Sequence, residues 1–311
     1  MPRTLRHFLD AIKFEHTVFA LPFAYVAMVL AADGWPGWRV LCWVTLAMAG
    51  ARTLAMSVNR LADRLIDASN PRTAERHLPT GLLSPRHMLL AAVISGALLA
   101  LSAWMLNPLC FRLAPFAALF LIGYSYTKRF TWASHWILGF TDGIAAAGGW
   151  IAVSGVFAPP IFVLWFALTV WIAGFDLIYA CQDVDFDRRA RLHSFPARFG
   201  IAPALFAAKL CHLLTVAAFA GLGWMMGLGF LYWAGLIVVA GLFVYEHRLV
   251  SPTDLSRLDV AFFNVNGYIA VIILAAVLGG RLLCRWDWER DRARRGSSAR
   301  CSRASRAATT S

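Results

Sequence analysis

Long apolar stretches recur along almost the whole chain and are separated by short polar connections. The stretches lie near residues 17–33, 40–60, 87–106, 109–126, 135–155, 160–182, 202–224, 228–246 and 260–280. Most of them approach the roughly 20 apolar residues that an α-helix needs to cross a bilayer. The pattern predicts an all-α integral membrane protein, a bundle of about nine transmembrane helices embedded in a lipid bilayer.

The polar connections differ in their content of basic residues, and this difference predicts the orientation of the bundle. The basic connections contain Arg3, Arg6 and Lys13 before the first span, Arg60, Arg64, Arg72, Arg76 and Arg86 after the second, Lys128 and Arg129 after the fourth, Arg188, Arg189, Arg191 and Arg198 after the sixth, and Arg248 and Arg257 after the eighth. The alternate loops hold little besides Arg39. Because Lys and Arg accumulate in cytoplasmic loops, the N-terminus and the charged loops are expected to face the cytoplasm, as in a bacterial inner membrane.

Composition agrees with a membrane protein and argues against other classes. Of the 311 residues, 59% are hydrophobic and 15% are charged, against roughly 25% charged residues in soluble domains. The net charge of +12 could indicate a nucleic-acid partner, but the basic residues lie beside apolar segments, so no nucleic acid is expected. The six Cys have no C-x-x-C spacing and predict neither a zinc site nor a disulfide framework. No protein partner is inferred.

Residues 281–311 differ from the rest of the chain. They hold nine Arg against three acidic residues in a Ser/Ala/Arg background that is typical of disorder. Residues 1–280 are therefore expected to form one transmembrane domain, and residues 281–311 a basic tail without a catalytic role. Nine spans place this tail outside, although its charge favours the cytoplasmic side.

The second apolar span runs without interruption into the polar sequence NRLADRLIDASN, residues 59–70. Asp63 and Asp67 are four residues apart, so on a helix they share one face, which Asn59 and Arg52 continue. Like charges at this spacing repel each other and call for a compensating Arg or divalent metal. The alternative for this pair alone is a solvated helix end.

A second acidic sequence, ACQDVDFDRR at residues 180–189, follows the sixth span. Asp183 and Asp187 repeat the four-residue spacing at the same predicted membrane face, whereas Asp185 points elsewhere on a helix. If the two helix ends meet, four carboxylates converge. Oxygen ligands without His or Cys suit Mg²⁺, which typically bridges one or two carboxylates to substrate phosphates.

Basic loops supply charge that would complement a bound diphosphate. Arg72 and Arg76 follow the first acidic pair, and Lys128 and Arg129 lie in the sequence YSYTKRF. Ordinary positive-inside charge is the alternative explanation for most of these residues. For Lys128 a functional role is favoured.

The sequences NRLADRLID and DVDFD resemble the two aspartate-rich motifs of the UbiA-type intramembrane aromatic prenyltransferases. Further similar segments occur in the family's order, namely FEHTVFALPFAYVAMVL, NPRTAERHLPTG, YSYTKRFT, IYACQD and AFFNVNGY. The resemblance covers nearly the whole chain. It implies a bundle of nine transmembrane helices that joins a polyprenyl diphosphate to a small aromatic acceptor.

Matching the motifs residue by residue gives this chain's counterparts of the family's functional positions. They are Asn59, Asp63 and Asp67 in the first motif, Asp183 and Asp187 in the second, Arg52 for the membrane Arg and Lys128 for the loop Lys. Arg60 stands where the first motif usually has an Asp, and LHSFPARFG, with His193 and Ser194, replaces a Lys-Ser-Thr-like stretch. Both departures fit a branch of 4-hydroxybenzoate polyprenyltransferases that also resembles the naphthoate prenyltransferases of the futalosine route to menaquinone.

Other residues are candidates for the acceptor or prenyl pocket. Asp142 lies inside the fifth span, where an ionisable group is costly, although its small neighbours also favour close helix packing. Tyr124 and Tyr179 stand near charged helix ends and could stabilise positive charge on a prenyl carbon. For Asn264 in the last span, an interhelical hydrogen bond is the favoured interpretation.

The resulting hypothesis is Mg²⁺-dependent prenyl transfer. Asp63, Asp67, Asp183 and Asp187 would hold Mg²⁺ against the diphosphate, helped by Asn59, Arg72, Lys128 and Arg129, with Arg52, Tyr124, Asp142 and Tyr179 in the acceptor or prenyl pocket. The favoured acceptor is 4-hydroxybenzoate, as in ubiquinone synthesis, and the alternative is 1,4-dihydroxy-6-naphthoate, as in menaquinone synthesis. An alternative from another class is a secondary transporter of an anionic metabolite, although such proteins place their ion sites near the membrane midplane.

Overall fold

The computed structural model describes residues 3–12 and 17–281, and in these ranges the chain is α-helical without a β-strand. The helices are α1 (Arg3–Ala11), α2 (Thr17–Ala32), α3 (Trp38–Ser69), α4 (Pro85–Leu106), α5 (Pro108–Thr127), α6 (Ser134–Ser154), α7 (Pro159–Ala180), α8 (Val184–Arg189), α9 (Phe195–Phe199), α10 (Ile201–Met225), α11 (Phe230–Leu249) and α12 (Val260–Arg281). Residues 282–311, which form nearly all of the predicted tail, and Lys13 lie outside the described ranges.

Eight helices in the described ranges are long and apolar enough to cross a membrane. They are α3, α4, α5, α6, α7 with its extension to Arg189, α10, α11 and α12. The predicted all-α membrane bundle is therefore confirmed. The first predicted span corresponds to α2, whose apolar part, Ala20–Ala32, is shorter than the spanning length, so the count of nine is not confirmed.

Helix α7 lies at the centre of the bundle, between α6 on one side and α10 on the other. Its apolar side chains are buried around most of the helix, including Trp171, which is fully buried. The Trp171 ring packs 4.9 Å from the ring of Phe23 on α2. Because α7 has no lipid-facing side along much of its length, it fixes the positions of the surrounding helices.

Two glycines of α6 allow neighbouring helices to approach closely. A methyl group on Gly139 would lie 2.1 Å from the backbone oxygen of Thr169 on α7, and one on Gly149 would lie 2.4 Å from that of Ala24 on α2. Small residues at membrane helix interfaces let backbones pack directly against each other. The close packing predicted for this segment is present on both sides of α6.

Helix α3 carries the first acidic motif beyond the apolar core. Its 32 residues correspond to about 48 Å at 1.5 Å per residue, well above the roughly 30 Å of a hydrocarbon core. Its C-terminal turns contact the loops 70–84 and 128–133, and we call this region, together with the adjoining loop 190–194, the polar end. The backbone N–H of His193 donates to the Lys128 carbonyl oxygen over 2.7 Å, which joins two of these loops.

Candidate active site

One large cavity extends from the polar end into the apolar interior, with a volume of about 850 Å³. Both acidic pairs line it at the polar end, and Leu99, Leu113 and Phe116 are among the apolar residues along it. All the site residues inferred from the sequence line this cavity except Arg129. Arg129 donates a hydrogen bond to Asp63, which lies on the cavity wall. The cavity therefore joins a charged region to an apolar one.

Asp63 is 2% exposed on α3 and lies between two cations of the loop after α5. Lys128 Nζ is 2.6 Å from its Oδ2, and an Arg129 guanidinium nitrogen donates to its Oδ1 over 3.1 Å. Asn59 Nδ2 donates to Oδ2 over 3.4 Å from one turn earlier on the same helix. These contacts place Asn59, Lys128 and Arg129 around one carboxylate.

Asp67, which is 4% exposed, has a different cation partner. One Arg76 guanidinium nitrogen donates to both carboxylate oxygens over 2.8 and 2.9 Å. The Thr73 hydroxyl donates to the Asp67 backbone oxygen over 3.0 Å. The loop after α3 therefore folds back over the end of its own helix.

Asp183 connects that loop to α7. Arg72 donates to both carboxylate oxygens of Asp183, from Nε over 2.9 Å and from a terminal nitrogen over 2.5 Å. It also donates to the Tyr179 hydroxyl over 3.0 Å, and Asn70 Nδ2 donates to Asp183 over 3.2 Å. Burial by itself lowers the pKa of Arg72, but the hydrogen bond with Asp183, together with the charge interactions with Tyr179, Asp183 and Asp67, outweighs burial and raises the pKa above its usual value. Residues of the loop after the first motif thus hold a carboxylate of the second.

The helix that carries the second motif is interrupted. Cys181–Asp183 form a 3₁₀ turn, and Asp187 lies on the separate short helix α8. Asp187 accepts a hydrogen bond of 2.6 Å from the hydroxyl of Ser194, the residue that caps α9. Asp185 is exposed, in agreement with its predicted separate direction. The four-residue spacing between Asp183 and Asp187 is therefore not that of one continuous α-helix.

The four carboxylates fit Mg²⁺ by the chemistry of their donors, because all are oxygens on the wall of one cavity. Within residues 3–12 and 17–281, no three of them bring one oxygen each within 4.8 Å of one another. This spacing suits an ion that takes one or two carboxylates and completes its shell with phosphate oxygens and water. The repulsion between the acidic residues is offset for three of them by Arg and Lys partners.

Arg52, Tyr124 and Asp142 line the cavity from three different helices. Arg52 Nε is buried and has no hydrogen-bond partner among the described residues. An unpaired guanidinium nitrogen inside a membrane protein is costly unless a ligand or water satisfies it. This group is therefore suited to bind an anionic part of a ligand.

Tyr179 forms part of an aromatic wall that a π-helical turn completes. Residues Val260–Val265 form this turn, and Phe262 packs with its ring 4.2 Å from the Tyr179 ring. Phe262 and Phe263 both line the cavity. Sequence reasoning did not identify these phenylalanines, and only the AFFN sequence within an apolar span hinted at them.

The π-helical turn is held by Asn266, which is fully buried. Its amide nitrogen donates to the backbone oxygens of Ala261 and Phe262 and to Glu246, and its oxygen accepts from Trp171 Nε1 over 2.8 Å. Asn264, for which an interhelical bond was expected, is exposed. The interhelical role falls to Asn266 because the π-turn changes which residues face inward.

Three further residues at the polar end were missed or left without a role. Asp176 lines the cavity and lies 2.7 Å from Nδ1 of His135, a buried residue of α6. Arg60, at the position where the first motif usually has an Asp, is 6% exposed and donates from Nε to the Ala11 carbonyl oxygen over 2.9 Å. Arg60 therefore holds the end of α1 and does not contribute a carboxylate.

Comparison with known proteins gives consistent matches. Residues 20–271 match the UbiA prenyltransferase family. The chain is 31% identical to a 4-hydroxybenzoate octaprenyltransferase from Aliivibrio salmonicida, over 81% of this chain and 89% of that protein. It is 32% identical to one from Vibrio cholerae, over 81% and 88%.

Solved structures show the same fold. A UbiA homolog from Aeropyrum pernix, solved in its apo form, matches with a TM-score of 0.78 and 32% identity over 85% of this chain and 97% of that chain. A UbiA homolog from Archaeoglobus fulgidus, bound to GPP and Mg²⁺, matches with a TM-score of 0.63 and 20% identity over 87% and 99%.

Proposed function

Because this chain belongs to the UbiA prenyltransferase family, we propose that it transfers a polyprenyl group from a polyprenyl diphosphate to 4-hydroxybenzoate in a Mg²⁺-dependent reaction. The observation that carries the proposal is the single cavity that joins four carboxylates and their cations to a long apolar interior. The two relatives from Aliivibrio salmonicida and Vibrio cholerae are named 4-hydroxybenzoate octaprenyltransferases, which supports this acceptor. Family membership also argues against the alternative of a secondary transporter, because it identifies the chain as a prenyltransferase.

The charged region of the cavity is suited to the diphosphate. Asp63, Asp67, Asp183 and Asp187 would hold Mg²⁺, which neutralises the diphosphate oxygens and so makes the diphosphate a better leaving group. Lys128, Arg129 and Arg72 already contact these carboxylates. When the diphosphate binds, these donors can turn to its oxygens, and Asn59 adds a neutral donor beside them.

The prenyl chain would occupy the apolar part of the cavity, with its reacting carbon at the charged end. Departure of the diphosphate leaves an allylic cation, which the aromatic faces of Tyr179 and Phe262 stabilise. The apolar wall excludes water and thereby limits hydrolysis of the cation. A ring carbon beside the phenol hydroxyl forms the new bond, and loss of its proton restores aromaticity.

Arg52 would bind the carboxylate of the acceptor. Its Nε is buried and has no hydrogen-bond partner within residues 3–12 and 17–281, and the side chain lines the same cavity as the acidic pairs. Tyr124 and Asp142 would form the rest of the polar wall around the acceptor. We further propose that the protein resides in a bacterial inner membrane with the polar end facing the cytoplasm, as the basic loops indicate.

The experiment is a transfer assay in membranes with Mg²⁺, a labelled polyprenyl diphosphate and two acceptors in parallel, 4-hydroxybenzoate and 1,4-dihydroxy-6-naphthoate. A prenylated benzoate supports the proposal, whereas a prenylated naphthoate alone overturns the acceptor and keeps the reaction class. We expect Asp63→Asn and Asp183→Asn each to lower turnover by more than about 100-fold, because each would remove an anionic ligand for the Mg²⁺ that neutralises the diphosphate. The matched control is Asp185→Asn, since Asp185 is exposed on the same segment. Full activity of both acidic variants would contradict the metal assignment.

A further inference from the structure

A second group of metal-ligating side chains lies at the polar end, separate from the four carboxylates. His7 and Asp10 are three residues apart on α1, and His77 lies in the loop 70–84. One ligand atom from each residue lies within 4.8 Å of the other two, and the two imidazole rings are 5.3 Å apart. We propose that His7, Asp10 and His77 bind one divalent transition-metal ion of the Zn²⁺ type.

The donor set selects the class of ion. Two imidazole nitrogens and one carboxylate oxygen suit Zn²⁺ and similar ions, whereas Mg²⁺ prefers oxygen ligands alone. Three protein ligands leave a fourth position of a tetrahedral site open to water or to a ligand oxygen. Ligand atoms of such a site lie about 3.3 Å apart, given metal–ligand bonds of about 2.0–2.1 Å. Small rotations of the three side chains therefore close the site around an ion.

The backbone on the α1 side of the site is held by contacts that do not involve the three ligands. Arg60 Nε donates to the Ala11 carbonyl oxygen over 2.9 Å. Ala11 and Ile12 are buried, and Ala11 belongs to an apolar cluster with Leu83 and Met88. The spacing of His7 and Asp10 places both on one face of the helix, so this half of the site is positioned before an ion binds.

The loop 70–84, which carries His77, is also held by contacts outside the proposed site. Arg72 and Arg76, which precede His77, pair with Asp183 and Asp67 respectively. These contacts fix the loop that carries His77 against α3 and against the 3₁₀ turn after α7. Preorganised ligands on braced backbone are the condition under which a metal site forms with little loss of conformational freedom.

The proposed metal site lies between α1 and the loop 70–84, beside the large cavity. Asp10 and His77 line the large cavity together with Asp67 and Arg76. An ion bound by all three ligands links α1 to the loop that covers the first acidic motif, and binding to the folded state stabilises this arrangement. The site would therefore act as a metal-dependent link between α1 and the loop 70–84 beside the polar end of the cavity.

The test is a Zn²⁺ titration by calorimetry of the full chain in lipid nanodiscs, after chelator treatment and with millimolar Mg²⁺ present to occupy carboxylate sites. We expect one tight site per chain. His7→Gln and His77→Gln should each weaken it by at least about 100-fold, because even the loss of a partner outside the coordination sphere costs roughly 10–100-fold. His87→Gln is the matched control, since His87 is an exposed histidine near the start of α4 that contacts Ser84.

A second readout uses the unmutated protein. Co²⁺ should give the visible absorption of a four-coordinate site and should be displaced by Zn²⁺, and Zn²⁺ should raise the melting temperature of the unmutated chain and of His87→Gln only. Equal Zn²⁺ affinity in all the variants, or no tight site in the unmutated chain, would overturn the proposal. Neither result bears on prenyl transfer, because the readouts are ion binding and thermal stability.

Discussion

Replacing Arg52 with Gln tests the proposed acceptor site most directly. Arg52 lines the cavity, and its Nε has no hydrogen-bond partner among the described residues. The substitution therefore breaks no hydrogen bond between Arg52 Nε and another described residue. We expect a large rise in the KM for 4-hydroxybenzoate, because the carboxylate of the acceptor would lose its cation.

The size of the rise in KM follows from the burial of the proposed pair between Arg52 and the carboxylate of the acceptor. Truncating one member of a buried, hydrogen-bonded charge pair costs roughly 2–5 kcal/mol. At about 1.4 kcal/mol per tenfold change, 2–5 kcal/mol raises the KM for the acceptor by about 30-fold to a few thousand-fold. The KM for the polyprenyl diphosphate should stay within a few-fold of its original value, since the cations at Asp63 and Asp183 are unchanged.

The assay measures initial rates in nanodiscs with each substrate varied in turn. Arg39→Gln is a matched control, because Arg39 lies near the N-terminal end of the same helix and donates to the backbone oxygen of Met105. The neutral analogue 4-hydroxybenzamide separates charge from shape, and its weaker binding should be almost insensitive to Arg52→Gln. The reasoning is refuted if the acceptor KM is unchanged, or if the charged and neutral acceptors lose affinity equally.

Two further predictions concern packing. Asn266→Leu should lower the free energy of unfolding by roughly 3 kcal/mol, because the buried Trp171 N–H and backbone oxygens of the π-turn lose their partner; an unchanged melting temperature would contradict this. Gly139→Ala should destabilise the protein by about 1–3 kcal/mol, because the added methyl group would lie 2.1 Å from the Thr169 oxygen. Gly148→Ala is its control, because no atom of another helix among the described residues lies within 4 Å of the added carbon; equal melting temperatures for the two variants would rule out the packing argument.

The acidic pairs show how far sequence reasoning reached. The i, i+4 spacing placed Asp63 and Asp67 on one helix face, and both line the cavity. Asp183 and Asp187 line the same cavity, although Asp183 ends the 3₁₀ turn Cys181–Asp183 and Asp187 lies on the following helix α8. Spacing indicates a shared face only while the backbone keeps one helical period, and a local change of period depends on tertiary contacts.

The sequence predicted that basic residues lie near the acidic pairs, but not which basic residue contacts which carboxylate. The basic loops indicated positive charge near the acidic pairs, but not that Arg72 reaches Asp183 or that Arg76 reaches Asp67. Arg60 was recognised as a departure from the motif, and the structure shows that it holds α1. Which cation meets which carboxylate depends on how the loop 70–84 folds back, and no local pattern encodes that path.

The sequence alone determined the membrane class, the positions of the apolar spans and the two acidic motifs, because length, hydropathy and helical period are local properties of the chain. Only the tertiary structure decided that both motifs line one cavity, that Phe262 packs against Tyr179, and that Arg52 Nε is buried with no hydrogen-bond partner in the part of the chain that the structure describes. It also brought His7 and Asp10 beside His77. These arrangements depend on contacts between segments far apart in the chain, which are fixed when the helices pack together.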